Sequence, residues 1–270
     1  MIAVAGGKGG CGKTTTTLGV ARALARHRTR DERHERHERH ERHGNGADDP
    51  PQPPVAVDAD WDLPNLAALA GRPAAPSVAN VGSQALATRS ATPLILDAPS
   101  DPAVHDPCAV LRQVRRSVEG YRDDNAQPPH PPILVDCPAG AGPDAAAPLR
   151  VATRSLLVTT CRVAALRDAA KTAALARALD CPPVGVVLVR AESAPAGVSS
   201  LFDAPVFAAV PPVSGDPLDD EGVMDAYDAV PKRLEWGSEQ APVSEPDSVS
   251  KSDPDGCDQG TPITDTPKRP

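Results

Sequence analysis

Apolar residues along the chain fall in short runs that alternate with longer amphipathic stretches. The runs are Met1–Ala5, Val55–Val57 ending at Asp58, Pro93–Leu96, Ile133–Val135 ending at Asp136, Leu156–Thr159, Val184–Val189 and Val206–Val210. Each is too short for a helix and reads as a buried strand. From Thr14 to about Arg28, Leu18, Ala21, Leu24 and Ala25 lie near a 3.6-residue period and predict a helix. Further helices are expected at about Asn65–Ala70, stopped by Gly71, over 163–179, and near Asp220–Val230. Asp106-Pro107 is an N-cap followed by proline at the first helical position, and opens a helix to about Tyr121. Strands alternating with helices imply an α/β fold, a doubly wound, mostly parallel sheet flanked by helices with right-handed crossovers.

Two stretches break this alternation. Residues 31–43 repeat Glu-Arg-His with no apolar face, and Glu32/Arg36, Glu35/Arg39 and Glu38/Arg42 stand four apart in the favourable order. The stretch reads as a solvated extension of the first helix or as a disordered loop, ended by Gly44-Asn45-Gly46 and a cluster of prolines. Past Gly237 the chain is rich in Ser, Pro, Asp and Gly. The expected organisation is one domain over 1–236, with a low-complexity insertion at 31–54, and a disordered acidic tail over 237–270.

Composition narrows the partners. The 270 residues carry a net charge of −8 and only 2% aromatics, so the core must be built from Ala, Val and Leu. An acidic surface repels nucleic acid unless its basic residues cluster. The one compact cluster outside the repeat, Arg112, Arg115 and Arg116, is explained by a solvated helix face, and DNA binding is unsupported. The Asp-rich, Lys-poor balance resembles that of proteins from salt-loving archaea. The six cysteines include no CxxC pair and no zinc or iron–sulfur spacing, which suggests reduced thiols. With no secretory signal and no membrane-length apolar run, a cytoplasmic protein is expected. The histidines at 34, 37, 40 and 43 raise a metal reading, but their spacing in a polar insertion preorganises a site poorly.

The chemistry lies at the ends of the predicted strands. Gly7-Lys8-Gly9-Gly10-Cys11-Gly12-Lys13-Thr14, between the first strand and the first helix, matches the Walker A pattern. Glycines let the backbone curl so that its N–H groups point at phosphates, and the helix start adds its positive dipole end. Lys13 is expected to reach the β- and γ-phosphates and the Thr14 hydroxyl to ligate Mg²⁺, with Thr15 completing the loop. Cys11 stands where a small apolar residue is usual. Asp58-Ala59-Asp60, followed by Asn65-Leu66 and Gly71, places carboxylates in the crevice where an α/β sheet binds nucleotides. Ile133-Leu134-Val135-Asp136 has Walker B logic, a buried strand that delivers one carboxylate to the Mg²⁺ water shell. Gly140, just beyond, allows close backbone approach to the γ-phosphate.

With Lys8 inside the loop, Lys8-Gly9-Gly10-Cys11-Gly12-Lys13-Thr14-Thr15 resembles the deviant Walker A box of the MinD/ParA ATPases. Asp58-Ala59-Asp60 with Asn65-Leu66 resembles that family's switch I. Asp136-Cys137-Pro138-Ala139-Gly140 resembles its switch II, and Leu157–Thr160 with Arg167-Asp168 its dimer-facing segment. The resemblance covers about residues 1–235. It implies ATP and Mg²⁺ as cofactors, Lys8 reaching across a dimer to the partner's nucleotide, Asp60 orienting the attacking water, Asp58 supporting the loop and Asn65 sensing the nucleotide.

The chain also departs from the family. Val189-Arg190 stands where the family carries Asn-Arg, and a valine cannot hydrogen-bond a base edge. Base contacts then fall to Arg190 and to backbone groups near Pro211. The C-terminal segment lacks the amphipathic basic membrane helix of MinD proteins. The expected function is an ATP-dependent homodimeric switch that hydrolyses ATP slowly without its regulatory protein partner. The alternatives are a BioD-like ligase that phosphorylates a small carboxylate, and a nucleotide-locked scaffold.

Overall fold

In a computed structural model, the structure describes residues 1–40, 52–81, 90–120, 130–140 and 142–234. Of residues 31–40 only the backbone is described. The strands are β1 (Ile2–Ala5), β2 (Val55–Asp58), β3 (Leu94–Leu96), β4 (Ile133–Asp136), β5 (Arg154–Thr159), β6 (Pro183–Val189) and β7 (Val206–Val210). They form one seven-stranded sheet in the order β3-β2-β4-β1-β5-β6-β7. Every strand pair is parallel. All seven predicted strands are present, and the sheet is wholly rather than mostly parallel.

The helices are α1 (Lys13–His40), α2 (Leu66–Leu69), α3 (Pro107–Gly120), α4 (Pro143–Val151), α5 (Val163–Ala178), α6 (Val198–Phe202) and α7 (Glu221–Asp228). Strand side chains alternate between faces. Ile2, Val4, Ala56, Leu134, Leu156 and Val158 pack with Leu18, Leu24, Leu66 and Tyr227, so α1, α2 and α7 cover one face. Val55, Val57, Ile133 and Val135 meet Val110, Leu111 and Val114 of α3 on the other. Leu157, Val186 and Leu188 meet α5 and Phe202 of α6, and Ala3 and Ala5 meet Leu149 of α4. Burial on both faces explains why the strands read as continuous apolar runs rather than alternating ones.

Three helical details differ from expectation. The first helix continues to His40, so of the two readings of the repeat the helical extension holds through that residue. Residues 41–43, the glycines at 44 and 46, and the expected tail disorder over 237–270 lie outside the described residues. Helix α4 was not foreseen: Pro-Asp-Ala-Ala-Ala-Pro-Leu-Arg-Val carries Pro148 inside it and shows no amphipathic period. It is buried nearly all round, at Ala145, Ala146, Ala147, Pro148, Leu149 and Val151, which erases the periodic signal. The short α6 is preceded by its N-cap Gly197 in the left-handed region, φ 86°, and was likewise unmarked in the sequence.

Candidate functional site: the phosphate loop and its carboxylates

Because the strands are parallel, the loops after β1, β2 and β4 gather at one edge of the sheet. The phosphate loop runs from Gly6 to Gly12. Gly12 has φ +88° and Gly10 φ +73°, values an L side chain rarely adopts. The loop is also wedged from outside. A Cβ at Gly7 would collide with the backbone of Asp168 on α5. A Cβ at Gly12 would lie 3.5 Å from both γ-methyls of Val189. Val189 is thus buried under the loop, and its side chain supports Gly12. Cys11 is buried too, its Sγ 2.8 Å from where a Cβ at Gly6 would lie.

Lys13 opens α1 and is 7% exposed. Thr17, one turn on, donates its hydroxyl to the Asp136 carboxylate at 3.3 Å and also to the Lys13 carbonyl at 3.0 Å. The nearby Thr14 hydroxyl also favours the charged form of Asp136. Burial pushes Asp136 up to about 7, and the charge on Asp58 pushes in the same direction; the hydroxyl of Thr14, the charge of Lys13 and Thr17 oppose it. Thr17 was not foreseen as a site residue. The run Thr14–Thr17 held the signal, since positions three apart share a helix face.

Asp58 has a different task. It is completely buried beside Asp136, its register partner on β4. Its Oδ1 accepts from the backbone N–H of Asp60 at 3.0 Å. Its Oδ2 accepts from Asn65 N–H at 3.0 Å and Leu66 N–H at 2.9 Å. One carboxylate therefore ties down both ends of the loop 60–65 and the start of α2. Burial pushes Asp58 up to about 6, and the three N–H donors hold it below where burial alone would put it. Asp60 is half-buried. Asn65 is exposed and sits at the N-cap of α2 with no side-chain capping bond. Gly140, φ +99°, turns the chain after β4.

Lys8, Gly9 and Gly10 are exposed. With Cys11, Cys161, Arg162 and Arg190 they line a pocket of about 560 Å³ beside the loop. Arg190 follows β6 in the left-handed region at φ +56°, a strained backbone for a non-glycine residue. Pro211 is half-buried at the end of β7, where the Val210 carbonyl accepts from Ala191 N–H at 2.9 Å. Arg162 and Cys161 were not singled out in the sequence, because only the fold brings the end of β5 against the phosphate loop. Arg115, read as part of a surface cluster, donates to the Val151 carbonyl at 2.9 Å and so ties α3 to the end of α4. Among the described residues no group of three or more His, Cys, Asp or Glu could hold a metal ion, and no helix is long and apolar enough to cross a membrane.

This is a P-loop fold of the MinD/ParA kind. The family profile CbiA, the CobQ/CobB/MinD/ParA nucleotide binding domain, matches residues 2–30, the stretch that carries β1, the loop and the first turns of α1. No curated protein sequence matches the chain. Among solved structures, the cell division ATPase MinD of Pyrococcus furiosus is similar at 22% identity, TM-score 0.63, over 86% of this chain and 96% of that one. The septum site-determining protein MinD of Pyrococcus horikoshii OT3, complexed with Mg-ADP, is similar at 19% identity, TM-score 0.65, over 87% and 95%. Cobyrinic acid a,c-diamide synthase of Mycobacterium smegmatis, with bound ADP and magnesium, is similar at 19% identity, TM-score 0.53, over 84% and 90%.

Proposed function

We propose that the chain is an Mg²⁺-dependent, ATP-hydrolysing switch that dimerises with nucleotide and acts in the cytoplasm through a regulatory protein partner. The observation that carries the reading is the cluster of buried Lys13, Thr17 and Asp136 with half-buried Thr14, directly behind a glycine loop that also holds an exposed Lys8.

The residues suit a nucleotide with its cation. Asp58 and Asp136 are both held above the usual carboxylate range by burial, as acids awaiting a counter-charge are. The Thr14 hydroxyl and the Asp136 carboxylate are hard oxygen donors of the kind Mg²⁺ takes. Thr14 would ligate the ion and Asp136 would hold its water shell, and the ion would neutralise charge on the phosphate oxygens. The chain's own groups do the rest. Backbone N–H groups of Gly9–Thr15 cradle the phosphates, and Lys13 offsets their charge from a desolvated position. Asp60, which follows β2 on a loop held by Asp58, orients water for attack. Asp58 keeps Asp60 and Asn65 in place through the loop backbone, so loss of the γ-phosphate would be felt across 58–66. Lys8, exposed on the outer side of the loop, reaches the nucleotide of a second copy. With Val189 turned under Gly12, base recognition falls to Arg190 and the backbone near Pro211.

A ligase on the same fold is the second reading, favoured by the similarity to the cobyrinic acid synthase. The test is a panel of ATP, GTP and their non-hydrolysable analogues, with and without Mg²⁺, read by nucleotide binding, phosphate release and molecular mass. The switch reading expects a dimer with ATP analogue and Mg²⁺, slow phosphate release, and no binding by Lys13→Ala. A Lys8→Ala chain that still dimerises with ATP would sink the dimer half of the proposal. Phosphate release that depends on an added small carboxylic acid would favour the ligase.

A further inference from the structure

The carboxyl edge of the sheet is divided by charge. The loops after β2 and β3, residues 59–65 and 97–106, carry Asp60, Asp62, Asp97, Asp101 and Asp106 and no Lys or Arg. The loop after β5 with the first turns of α5 carries Arg162 and Arg167, with Asp168 paired to Lys171, and Arg190 and Glu192 follow β6, so this half is net basic. Lys8, Arg162 and Arg190 converge on one pocket of about 560 Å³. Among the described residues none of these three is in an ion pair. Each half also presents an apolar tip: Leu63 is 74% and Val104 70% exposed on the acidic side, and Val163 is 65% exposed on the basic side.

We infer that these two halves are complementary surfaces for a second copy of this chain, and that their charges select self-association. The inference rests on the dimeric-switch reading and names the contacts that make it selective. In a two-fold dimer each patch meets its counterpart twice. An axis perpendicular to the sheet and between β4 and β1 lays the β2 loop of one copy on the β5 loop of the other. It also lays the β3 loop over the β6 loop. Acid then faces base where each β2 loop meets the partner copy's β5 loop, with Leu63 against Val163, and the two phosphate loops lie at the centre where Lys8 can cross. An axis running along the strand order instead sets acid on acid and base on base. The acids after β7, Asp216, Asp219 and Asp220, fall outside this overlap. Like charges brought together across an interface reject wrong partners, so the same pattern discriminates against chains that lack it.

The test uses the full-length chain with a non-hydrolysable ATP analogue and Mg²⁺, read by mass photometry. Two exposed residues outside the pocket beside the phosphate loop are reversed separately, Arg167→Glu in one variant and Asp62→Arg in another. Each alone is expected to weaken dimerisation at least tenfold while binding labelled ADP as the unaltered chain does. Mixed in equal amounts, the two variants form a heterodimer of near-original affinity, because the exchange makes both ends attractive again. Unchanged dimerisation of either variant, or a mixture that stays monomeric, overturns the inference. If the unaltered chain binds nucleotide but stays monomeric, this inference and the dimer half of the proposed function fail, and nucleotide binding stands. If the unaltered chain dimerises and the exchange fails, only this inference falls.

Discussion

Asp58 and Asp136 are register partners at the carboxyl ends of adjacent strands, and the charge on Asp58 adds to the burial that holds Asp136 at about 7. The ordinary value is 3.8, so the folded, nucleotide-free protein keeps a proton that the unfolded chain releases. Asp58, at about 6, behaves alike. A raised carboxyl pKa gives stability that is present at low pH and lost as pH rises from about 4 to about 7. The melting temperature of the free protein should therefore fall from pH 5.5 to pH 8. Asp136→Asn should flatten that slope and raise the melting point at pH 8. An unchanged slope in the variant would show that the proton resides elsewhere.

Asp58 serves three backbone donors at once, and its removal should show in the loop before it shows in the sheet. Asp58→Ala leaves the N–H groups of Asn65 and Leu66 without a partner at a site that is partly closed to water. The cost should be about 2 kcal/mol, the scale of an orphaned donor. Trp61, whose ring N–H donates to the Asp58 carbonyl at 3.2 Å, lies in the same loop and reports on it. Its emission should shift to the red in Asp58→Ala, and proteolysis within 59–65 should quicken. Asp58→Asn, which keeps one acceptor oxygen, should fall between the two.

Gly7 is fixed by space. Its Cα faces the backbone of Asp168 on α5, so Gly7→Ala must push the phosphate loop away from that helix. Nucleotide affinity should drop at least tenfold with little change in the unfolding midpoint, because the loop is a small part of the fold. Equal affinity in a titration with labelled ADP would count against the wedged loop.

Gly19 illustrates the same constraint in the core. A methyl group there would collide with the ring of Tyr227, whose hydroxyl pairs with Thr16 at 3.3 Å. Alanine within a helix is worth about 1 kcal/mol over glycine. Overpacking typically costs about 1–3 kcal/mol, so Gly19→Ala should be destabilising by up to about 2 kcal/mol net. Pairing it with Tyr227→Leu should recover part of the loss in a denaturant titration.

How far the sequence could be read follows from these contacts. Strands buried on both faces announce themselves as apolar runs, and Asp58 and Asp136 stand out because each ends such a run. The phosphate loop is legible because its glycines answer a local backbone demand. Helix α4 was invisible, since full burial removes the polar face that marks a helix. Thr17 was missed because its partner is 119 residues away. The wedge of Asp168 behind Gly7 and the placing of Arg162 beside Lys8 arise only when β5 pairs with β1. Val189 was legible as a departure, but its position beneath Gly12 was not.

Helix α1 begins at Lys13, directly after the glycine loop, and continues unbroken to His40. At 1.5 Å per residue its 28 residues extend about 42 Å, far longer than any strand in the sheet it lies on. A rod of that length is a lever with its short end in the nucleotide site. A tilt of about 5° at Lys13 would sweep the far end through roughly 4 Å at that rise per residue. The backbone near His40 would then carry the state of the glycine loop as a displacement.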